Sequence, residues 1–231
     1  QELCKILFVN DRTLISFTAN QEAYRKADVH FEKFLGNYEN DSIINVRPKF
    51  DFIKENEAFT DSSSICYVAR TGNFIDKGFE YQGTLRLLKV ILSYDYLWTN
   101  VRVMGGAYGC MTAFLRSGES YFVSYRDPNL RKTNEIYEGV ANYIRNFTAD
   151  ENEMTKYIIG TFSNLDTPLN PEAKGSRSMA AYLQGLEYNQ VQAEREQILN
   201  ATDKDIRNLA DMIKGVLSDN NICVIGNENI I

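Results

Sequence analysis

The sequence predicts an α+β fold in which a mainly antiparallel sheet of about six strands packs against helices on one face. Apolar runs rich in β-forming residues occur in adjacent pairs joined by short polar turns, as in β-hairpins. Helical stripes, with apolar residues three and four positions apart, lie between these pairs and dominate the second half of the chain. Strands grouped in hairpins with helices between and after them are typical of α+β proteins.

The first predicted hairpin lies near the N-terminus. Cys4 to Asn10 and Thr13 to Thr18 are short apolar runs, and Asn10-Asp11-Arg12 between them is a typical tight turn. Both runs are therefore expected to be strands.

A helix and two further strands are expected next. Asn20 is placed to cap a helix that runs through about Tyr38 and packs one apolar face inward. Residues 43–50 and 64–70 are then predicted as strands, the first weakened at Pro48 because proline has no amide proton for the ladder.

The centre of the chain predicts a buried helix followed by a second hairpin. From about Gly83 to Val101 the residues leave almost no polar face, which indicates a helix covered on most sides that ends at Arg102. Cys110 to Arg116 and Ser120 to Tyr125 then alternate well enough to pair around Ser117-Gly118-Glu119.

The remaining chain predicts helices and one last strand. At Asp127-Pro128 we expect a helix to begin, with Asp127 accepting backbone amide bonds and Pro128 at the first helical position. The run Glu194-Arg195-Glu196 is interpreted as a solvated helix face. The other expected features are capping residues (Asp150 with Glu153, Thr202 with Asp205), apolar stripes within 136–147, 154–165 and 206–217, and a strand at 222–225.

Composition limits the classes of function. The 231 residues, 44% of them hydrophobic, favour one domain with a sizeable core, and the net charge of −6 argues against nucleic-acid and anionic-membrane partners. No apolar stretch reaches the roughly 18–20 residues of a membrane span. The four cysteines lie far apart, as in a reducing compartment, so a cytoplasmic location is expected. Because the chain begins with Gln1, we expect it to be cut from a longer protein.

The most informative segment is Arg102-Val103-Met104-Gly105-Gly106-Ala107-Tyr108-Gly109. The three glycines Gly105, Gly106 and Gly109 allow backbone angles that side chains forbid and a close approach to a ligand. Arg102 and Tyr108 add a planar cation and a phenol donor. A helix C-cap that turns into a strand explains the glycines equally well but leaves Arg102 and Tyr108 unexplained.

The common catalytic sites have no support in this sequence. His30 is the only histidine, so the chain cannot form an H-x-x-E-H zinc site. A serine triad would need that same histidine, and the sequence contains no G-x-S-x-G elbow to support one. We interpret His30 as a surface or half-buried helix residue. The glycine spacing matches neither a dinucleotide fingerprint nor a P-loop, and we expect no metal or cofactor in this chain.

Together with the order of elements, two segments resemble the pitrilysin-type zinc metallopeptidases. The segments are Arg102 to Gly109 and Ser124-Tyr125-Arg126-Asp127-Pro128-Asn129-Leu130, and the likeness covers nearly the whole chain. It is greatest to the last of the four homologous domains in the insulysin and presequence-protease branch. That family repeats an α+β roll four times, and its two halves close around an unfolded peptide.

The resemblance implies a function. Residues 1–231 would be a single C-terminal, zinc-free domain of a larger metalloendopeptidase, with zinc held in the N-terminal domain. Its partners would be the N-terminal zinc-bearing half and an unfolded peptide substrate. Arg102 and Tyr108 would donate hydrogen bonds to peptide carbonyls and to the oxygen that gains charge during hydrolysis. The chain alone is expected to be inactive.

Two alternatives stay open at this point. The chain could be a structural or assembly domain that keeps the fold without peptidase function. It could also be an independent small-molecule-binding module, which only the glycine loop supports. The role of Arg126 is undecided between an ion pair with Asp127 or a nearby carboxylate and a second cation facing the peptide.

Overall fold

A computed structural model of the chain describes residues 7, 9–10, 13–37, 54–229 and 231. Most of the run at 4–10, the turn at 11–12 and the strand predicted at 43–50 lie outside these residues. The described elements are, in chain order, α1 (Gln21–Leu35), β1 (Glu57–Asp61), β2 (Cys66–Asn73), a short 3-10 helix (Ile75–Lys77), α2 (Thr84–Ile91), two π-helical segments (Leu92–Tyr96 and Trp98–Val103), β3 (Gly109–Phe114), β4 (Glu119–Asp127), α3 (Leu130–Arg145), α4 (Glu151–Leu165), α5 (Pro171–Leu183), α6 (Tyr188–Leu199), α7 (Asp203–Arg207), α8 (Ala210–Ser218) and β5 (Asn221–Asn227).

The chain forms two compact units. The sheet unit contains residues 53–166 and 189–231, and the helical unit contains residues 1–52 and 167–188. All five strands of the described sheet belong to the sheet unit, whereas the helical unit contains α1 and α5. The expectation of a single domain over 1–231 stays a prediction.

The sheet confirms the predicted α+β class. Its strand order is β1-β5-β2-β4-β3, with five strands among the described residues instead of about six. Only β1 and β5 run parallel, so the sheet is mainly antiparallel, as expected. Strand β1 was not predicted, because all five of its residues are exposed and it lacks an apolar run. The predicted strand at 64–70 begins and ends slightly later, at Cys66–Asn73, and the predicted final strand extends over Asn221–Asn227.

The core lies between the sheet and the helices α2, α3 and α8. Side chains alternate along β4 between buried and partly exposed positions, which is the pattern of a strand with one covered face. Helices α3 and α8 both contact β2. The fully buried core side chains include Phe74, Leu85, Leu88, Ile91, Phe122, Tyr137, Ile144, Ile213 and Val216.

In the helical unit, two predictions about the N-terminal region are wrong. Residues 13–18 have no regular secondary structure, and Thr13 instead closes a turn by donating its N–H to the Asn10 carbonyl at 3.0 Å. Apolar, β-branched residues form a strand only where a neighbouring strand pairs with them. The Asn20 cap is confirmed by its side-chain bond to the Ala23 N–H at 2.8 Å. However, α1 ends at Leu35 instead of Tyr38 and none of its residues is buried, because an apolar stripe is buried only where a second surface covers it.

The long central helix is interrupted by π-helical turns. It extends as predicted from Thr84 to the Arg102 region, but residues 92–96 and 98–103 are wound more loosely than an α-helix. Leu97 and Val101 remain fully buried, whereas Tyr94 and Trp98 are 66% and 43% exposed. The expectation of a helix covered on most sides is therefore wrong for its second half. A π turn changes the face of the helix on which the following side chains lie, and the apolar composition of a segment does not reveal where such turns occur.

Two capping predictions at later helix starts are confirmed. Asp150 and Glu153 form a reciprocal capping box, with both bonds between 2.8 and 2.9 Å. At Thr202 the backbone N–H donates to the Asp205 carboxylate at 2.8 Å.

The start of α3 is confirmed only in part. Asp127 accepts the Asn129 N–H at 2.8 Å, as predicted, but the helix begins at Leu130. Pro128 therefore precedes the cap residue Asn129 instead of occupying the first helical position.

The interpretation of Glu194 as part of a solvated face is also wrong. Glu194 is only 7% exposed, and both of its carboxylate oxygens accept hydrogen bonds from the Arg116 guanidinium. A buried carboxylate requires such a partner, which the sequence separation of the two residues concealed. The pair joins α6 to the turn between β3 and β4.

Candidate functional site around Arg102 and Tyr108

The predicted glycine loop closes the second π-helical segment. Gly106 has φ = +81°, in the left-handed region, and donates its N–H to the Arg102 carbonyl at 2.9 Å. The Ala107 N–H reaches the Val101 carbonyl at 3.2 Å. These bonds satisfy carbonyl groups that a helix end leaves without partners. The helix-cap interpretation of Gly106 is thus correct, and the cap fixes the position of the loop.

The other two glycines make room for close packing. Gly105 is buried, and its carbonyl accepts a hydrogen bond from the Asn129 side chain at the start of α3. A Cβ at Gly109 would lie 2.5 Å from the hydroxyl oxygen of Tyr125 on the neighbouring strand. A glycine is therefore required at 109 for the Tyr125 ring to occupy its place. The loop is held on both sides, by α3 and by β4.

Arg102 stacks on an exposed tryptophan. Its guanidinium carbon lies 3.9 Å from the centre of the Trp98 ring, one helical turn earlier. Such a cation–π contact at a partly exposed site contributes about 0.5–1 kcal/mol and limits the freedom of the guanidinium. Trp98 was predicted only as an apolar helix residue. The spacing of four residues between Trp98 and Arg102 was the signal that could have identified the pair.

Tyr108 is an exposed aromatic residue immediately before β3. It is 60% exposed, and its ring lies edge-on to the Tyr125 ring with 5.5 Å between centroids. Its backbone N–H donates to the Arg126 carbonyl at 3.2 Å. The Tyr108 ring thus packs against the sheet through one edge, while most of its side chain faces solvent.

Arg126 is the second cation of the site. Its guanidinium carbon lies 5.6 Å from the Tyr108 ring centre, and its backbone has φ = +49°. The left-handed conformation costs a residue with a side chain about 1–2 kcal/mol. Of the alternatives left open for Arg126, the pair with Asp127 does not form, because the Asp127 carboxylate instead accepts the Asn129 N–H and the Thr133 hydroxyl, at 2.8 and 2.7 Å.

Buried polar groups support the end of β4 beneath the site. Asp127 is fully buried, and its carbonyl accepts a bond from the Cys66 thiol at 3.0 Å. Burial raises the pKa of the Cys66 thiol to about 11, and the charge of Asp127 adds to this effect. Burial also raises the pKa of Cys110 to about 11, opposed by the positive charge of Arg102. Both thiols are therefore neutral near neutral pH.

The electrostatics of the site favour an anion or a hydrogen-bond acceptor. Among the residues that the structure describes, neither Arg102 nor Arg126 forms an ion pair with a carboxylate. Both guanidinium groups contact aromatic rings, and ring contacts leave N–H donors available. The arrangement can bind peptide carbonyls or carboxylates.

The described part of the chain does not fit a resident zinc ion. His30 is exposed on α1, as predicted, and no group of three or more His, Cys, Asp or Glu side chains within the described ranges could hold a metal. Tetrahedral zinc needs three or four such ligands. The helices in these ranges also include none with the length and apolar character needed to cross a membrane.

Comparison with known sequences identifies related proteins. The family model described as "PreP C-terminal domain" matches residues 56–228. Protein HypA of Clostridium perfringens is 40% identical over 223 residues, which cover 96% of this chain and 23% of the relative. Presequence protease 1, chloroplastic/mitochondrial, of Arabidopsis thaliana is 33% identical over 232 residues, which cover 97% of this chain and 21% of the relative. The chain thus spans less than a quarter of the length of these relatives.

Solved structures show the same fold. An inactive domain of a peptidase of the M16 family, from Pseudomonas fluorescens, aligns with a TM-score of 0.61 and 12% identity over 88% of this chain and 50% of that chain. Pitrilysin aligns with a TM-score of 0.60 and 13% identity over 89% of this chain and 23% of that chain. The structural similarity supports the fold assignment, whereas the family model and the related sequences establish the family to which the chain belongs. The chain therefore belongs to the presequence-protease branch of the pitrilysin-type metallopeptidases, as a C-terminal, non-catalytic domain.

Proposed function

We propose that this chain is the zinc-free C-terminal domain of a metalloendopeptidase that degrades unstructured peptides, and that it holds the substrate through Arg102 and Tyr108. One observation carries the proposal. The loop presents a guanidinium and an exposed phenol within seven residues, and neither group is occupied by a carboxylate among the described residues. The names of the relatives, which include presequence proteases, support the substrate class.

In the proposed complex, the N-terminal half contributes the zinc and encloses the peptide together with this domain. Zinc supplies activation of the hydrolytic water when bound there. Arg102 donates N–H groups to a peptide carbonyl, and the stacked Trp98 ring keeps its guanidinium in place. Tyr108 donates its hydroxyl to a second acceptor and excludes water with its ring. The cytoplasmic location remains a prediction.

Cleavage by the full-length parent protein tests the proposal. We expect Arg102→Ala and Tyr108→Phe each to lower kcat/KM about 100-fold or more, the usual loss when one preorganised donor is removed. Zinc content and the thermal unfolding midpoint should match those of the parent. Arg145→Ala and Tyr94→Phe are matched controls, because Arg145 forms a surface ion pair and Tyr94 is as exposed as Tyr108.

The same measurements separate the alternatives. Unchanged turnover in both site variants would refute the substrate contacts and leave the loop with a structural role. A parent protein that binds zinc but cleaves no peptide would favour the structural or assembly domain. A loss of cleavage that the control variants share would contradict a specific role for Arg102 and Tyr108.

A further inference from the structure

Arg126 occupies a left-handed backbone conformation at a β-bulge, where Tyr125 and Arg126 of β4 together oppose one residue of β2. Its φ is +49°, and Asn220 is the only other non-glycine residue with positive φ among the described residues. Asparagine tolerates this conformation, whereas arginine rarely adopts it. The Arg126 side chain is exposed, so burial does not compensate for the strain. Strain of this kind is concentrated at functional sites.

The strained backbone directs two groups of Arg126 toward Tyr108. The Arg126 carbonyl accepts the Tyr108 N–H at 3.2 Å, and the guanidinium lies over the Tyr108 ring at 5.6 Å. One residue later, Asp127 is fixed by buried hydrogen bonds to Asn129 and Thr133. The conformation at 126 is therefore determined from both sides, by the loop and by the buried end of β4.

The charge of Arg126 is not neutralised within the described residues. It forms no ion pair there, and the adjacent Asp127 carboxylate is buried and directed at other donors. Arg102 contributes a second uncompensated guanidinium to the same loop and strand junction. Guanidinium groups bind carboxylates with two parallel hydrogen bonds, a geometry that neutral side chains do not reproduce.

We propose that Arg126 determines substrate specificity by binding a carboxylate of the peptide beside the backbone held at Tyr108. This inference rests on the proposed function. The carboxylate belongs either to an acidic side chain or to the C-terminus of the peptide. Arg126 thereby selects which peptide is held, whereas Arg102 and Tyr108 contact any peptide.

The test uses the full-length zinc-loaded parent protein and a set of matched peptides. The two peptides of the first pair differ only in carrying Glu or Gln at one position, and this position is scanned along the peptide. The two peptides of the second pair differ only in having a free or an amidated C-terminus. Both kcat/KM and equilibrium binding are measured. We expect the parent to prefer one carboxylate-bearing peptide about 10-fold or more, as for a hydrogen bond to a charged group. The pair that shows the preference identifies the source of the carboxylate.

Three substitutions separate charge from backbone strain. Arg126→Gln removes the charge, Arg126→Gly removes the charge and tolerates positive φ, and Arg126→Lys keeps the charge without the planar fork. We expect Arg126→Gln and Arg126→Gly to reduce the ratio of kcat/KM between the charged and neutral peptides to nearly onefold, and Arg126→Lys to retain part of this preference. A purely structural role would change the unfolding temperature and cleavage of both peptides together.

The outcomes distinguish this inference from the proposed function. If Arg102→Ala abolishes cleavage but Arg126→Gln leaves the preference intact, the proposed function stands and the inference is refuted. If Arg126→Gln removes the preference while Arg102→Ala has no effect, the inference stands and the role of Arg102 is refuted. A parent without a carboxylate preference refutes the inference, and one that neither cleaves nor binds any of the peptides refutes both.

Discussion

Removal of one partner of the ion pair between Arg116 and Glu194 should strongly destabilise the sheet unit. Their side chains are only 21% and 9% exposed, and both guanidinium nitrogens donate to the Glu194 carboxylate. The Arg116 guanidinium also lies 4.6 Å from the Tyr81 ring centre. Glu194→Gln keeps the size of the side chain but removes its charge, which leaves the Arg116 cation without its partner. Breaking a buried pair costs about 3–5 kcal/mol. Because Arg116 is one-fifth exposed and can recover some hydration, we expect about 2–3 kcal/mol.

Thermal unfolding measures this effect directly. For a chain of this size each kcal/mol lowers the melting temperature by about 2–4 °C, so Glu194→Gln should lower it by about 4–12 °C. Asp211→Asn is the matched control, since Asp211 pairs with Arg145 at the surface, where the two side chains are 80% and 48% exposed. An exposed pair contributes at most about 1 kcal/mol. If Glu194→Gln lowers the melting temperature no more than Asp211→Asn does, the reasoning from burial is refuted.

Two further predictions concern the glycine loop and the buried thiols. Gly106→Ala should destabilise the chain by about 1–2 kcal/mol in a thermal or urea melt, because a side chain at φ = +81° is strained, and an unchanged melt would contradict the left-handed cap. Cys66 and Cys110 should react slowly with iodoacetamide at pH 8, as followed by peptide mass spectrometry, because a pKa of about 11 leaves very little thiolate. Since an unfolded thiol has a pKa near 9.0, the stability contributed by these groups should be constant below pH 9 and decrease as the pH rises toward 11. Labelling of native Cys66 at the rate of the unfolded chain would contradict its burial.

The sequence predicted the elements that are determined by local patterns. The hairpin of β3 and β4 follows from alternation around Ser117-Gly118-Glu119, and the capping boxes follow from pairs three residues apart. The site residues Arg102 and Tyr108 lie within one short segment, so their proximity to the glycine cap was also evident. These features need only neighbouring residues to be recognised.

Features that depend on distant residues could not be predicted in this way. Strand β1 is fully exposed and is defined by its parallel pairing with β5, more than 150 residues later. Glu194 is buried because Arg116 reaches it from a separate hairpin. Tyr125 belongs to the site because the pairing of β3 with β4 places it opposite Gly109. In each case tertiary contacts, and not the local pattern, decide the environment of the residue.

The structural and functional interpretations of the glycine loop are compatible with each other. Cap formation explains Gly106, and the close approach of Tyr125 explains Gly109, without reference to a ligand. Neither explains why Tyr108 is 60% exposed, nor why an arginine occupies the left-handed position of the bulge in β4. A loop selected for stability alone would favour glycine or asparagine at position 126. Under the proposed function, the rigid cap would support the exposed donors, and we expect the substitutions at 106 and 126 to affect stability and specificity separately.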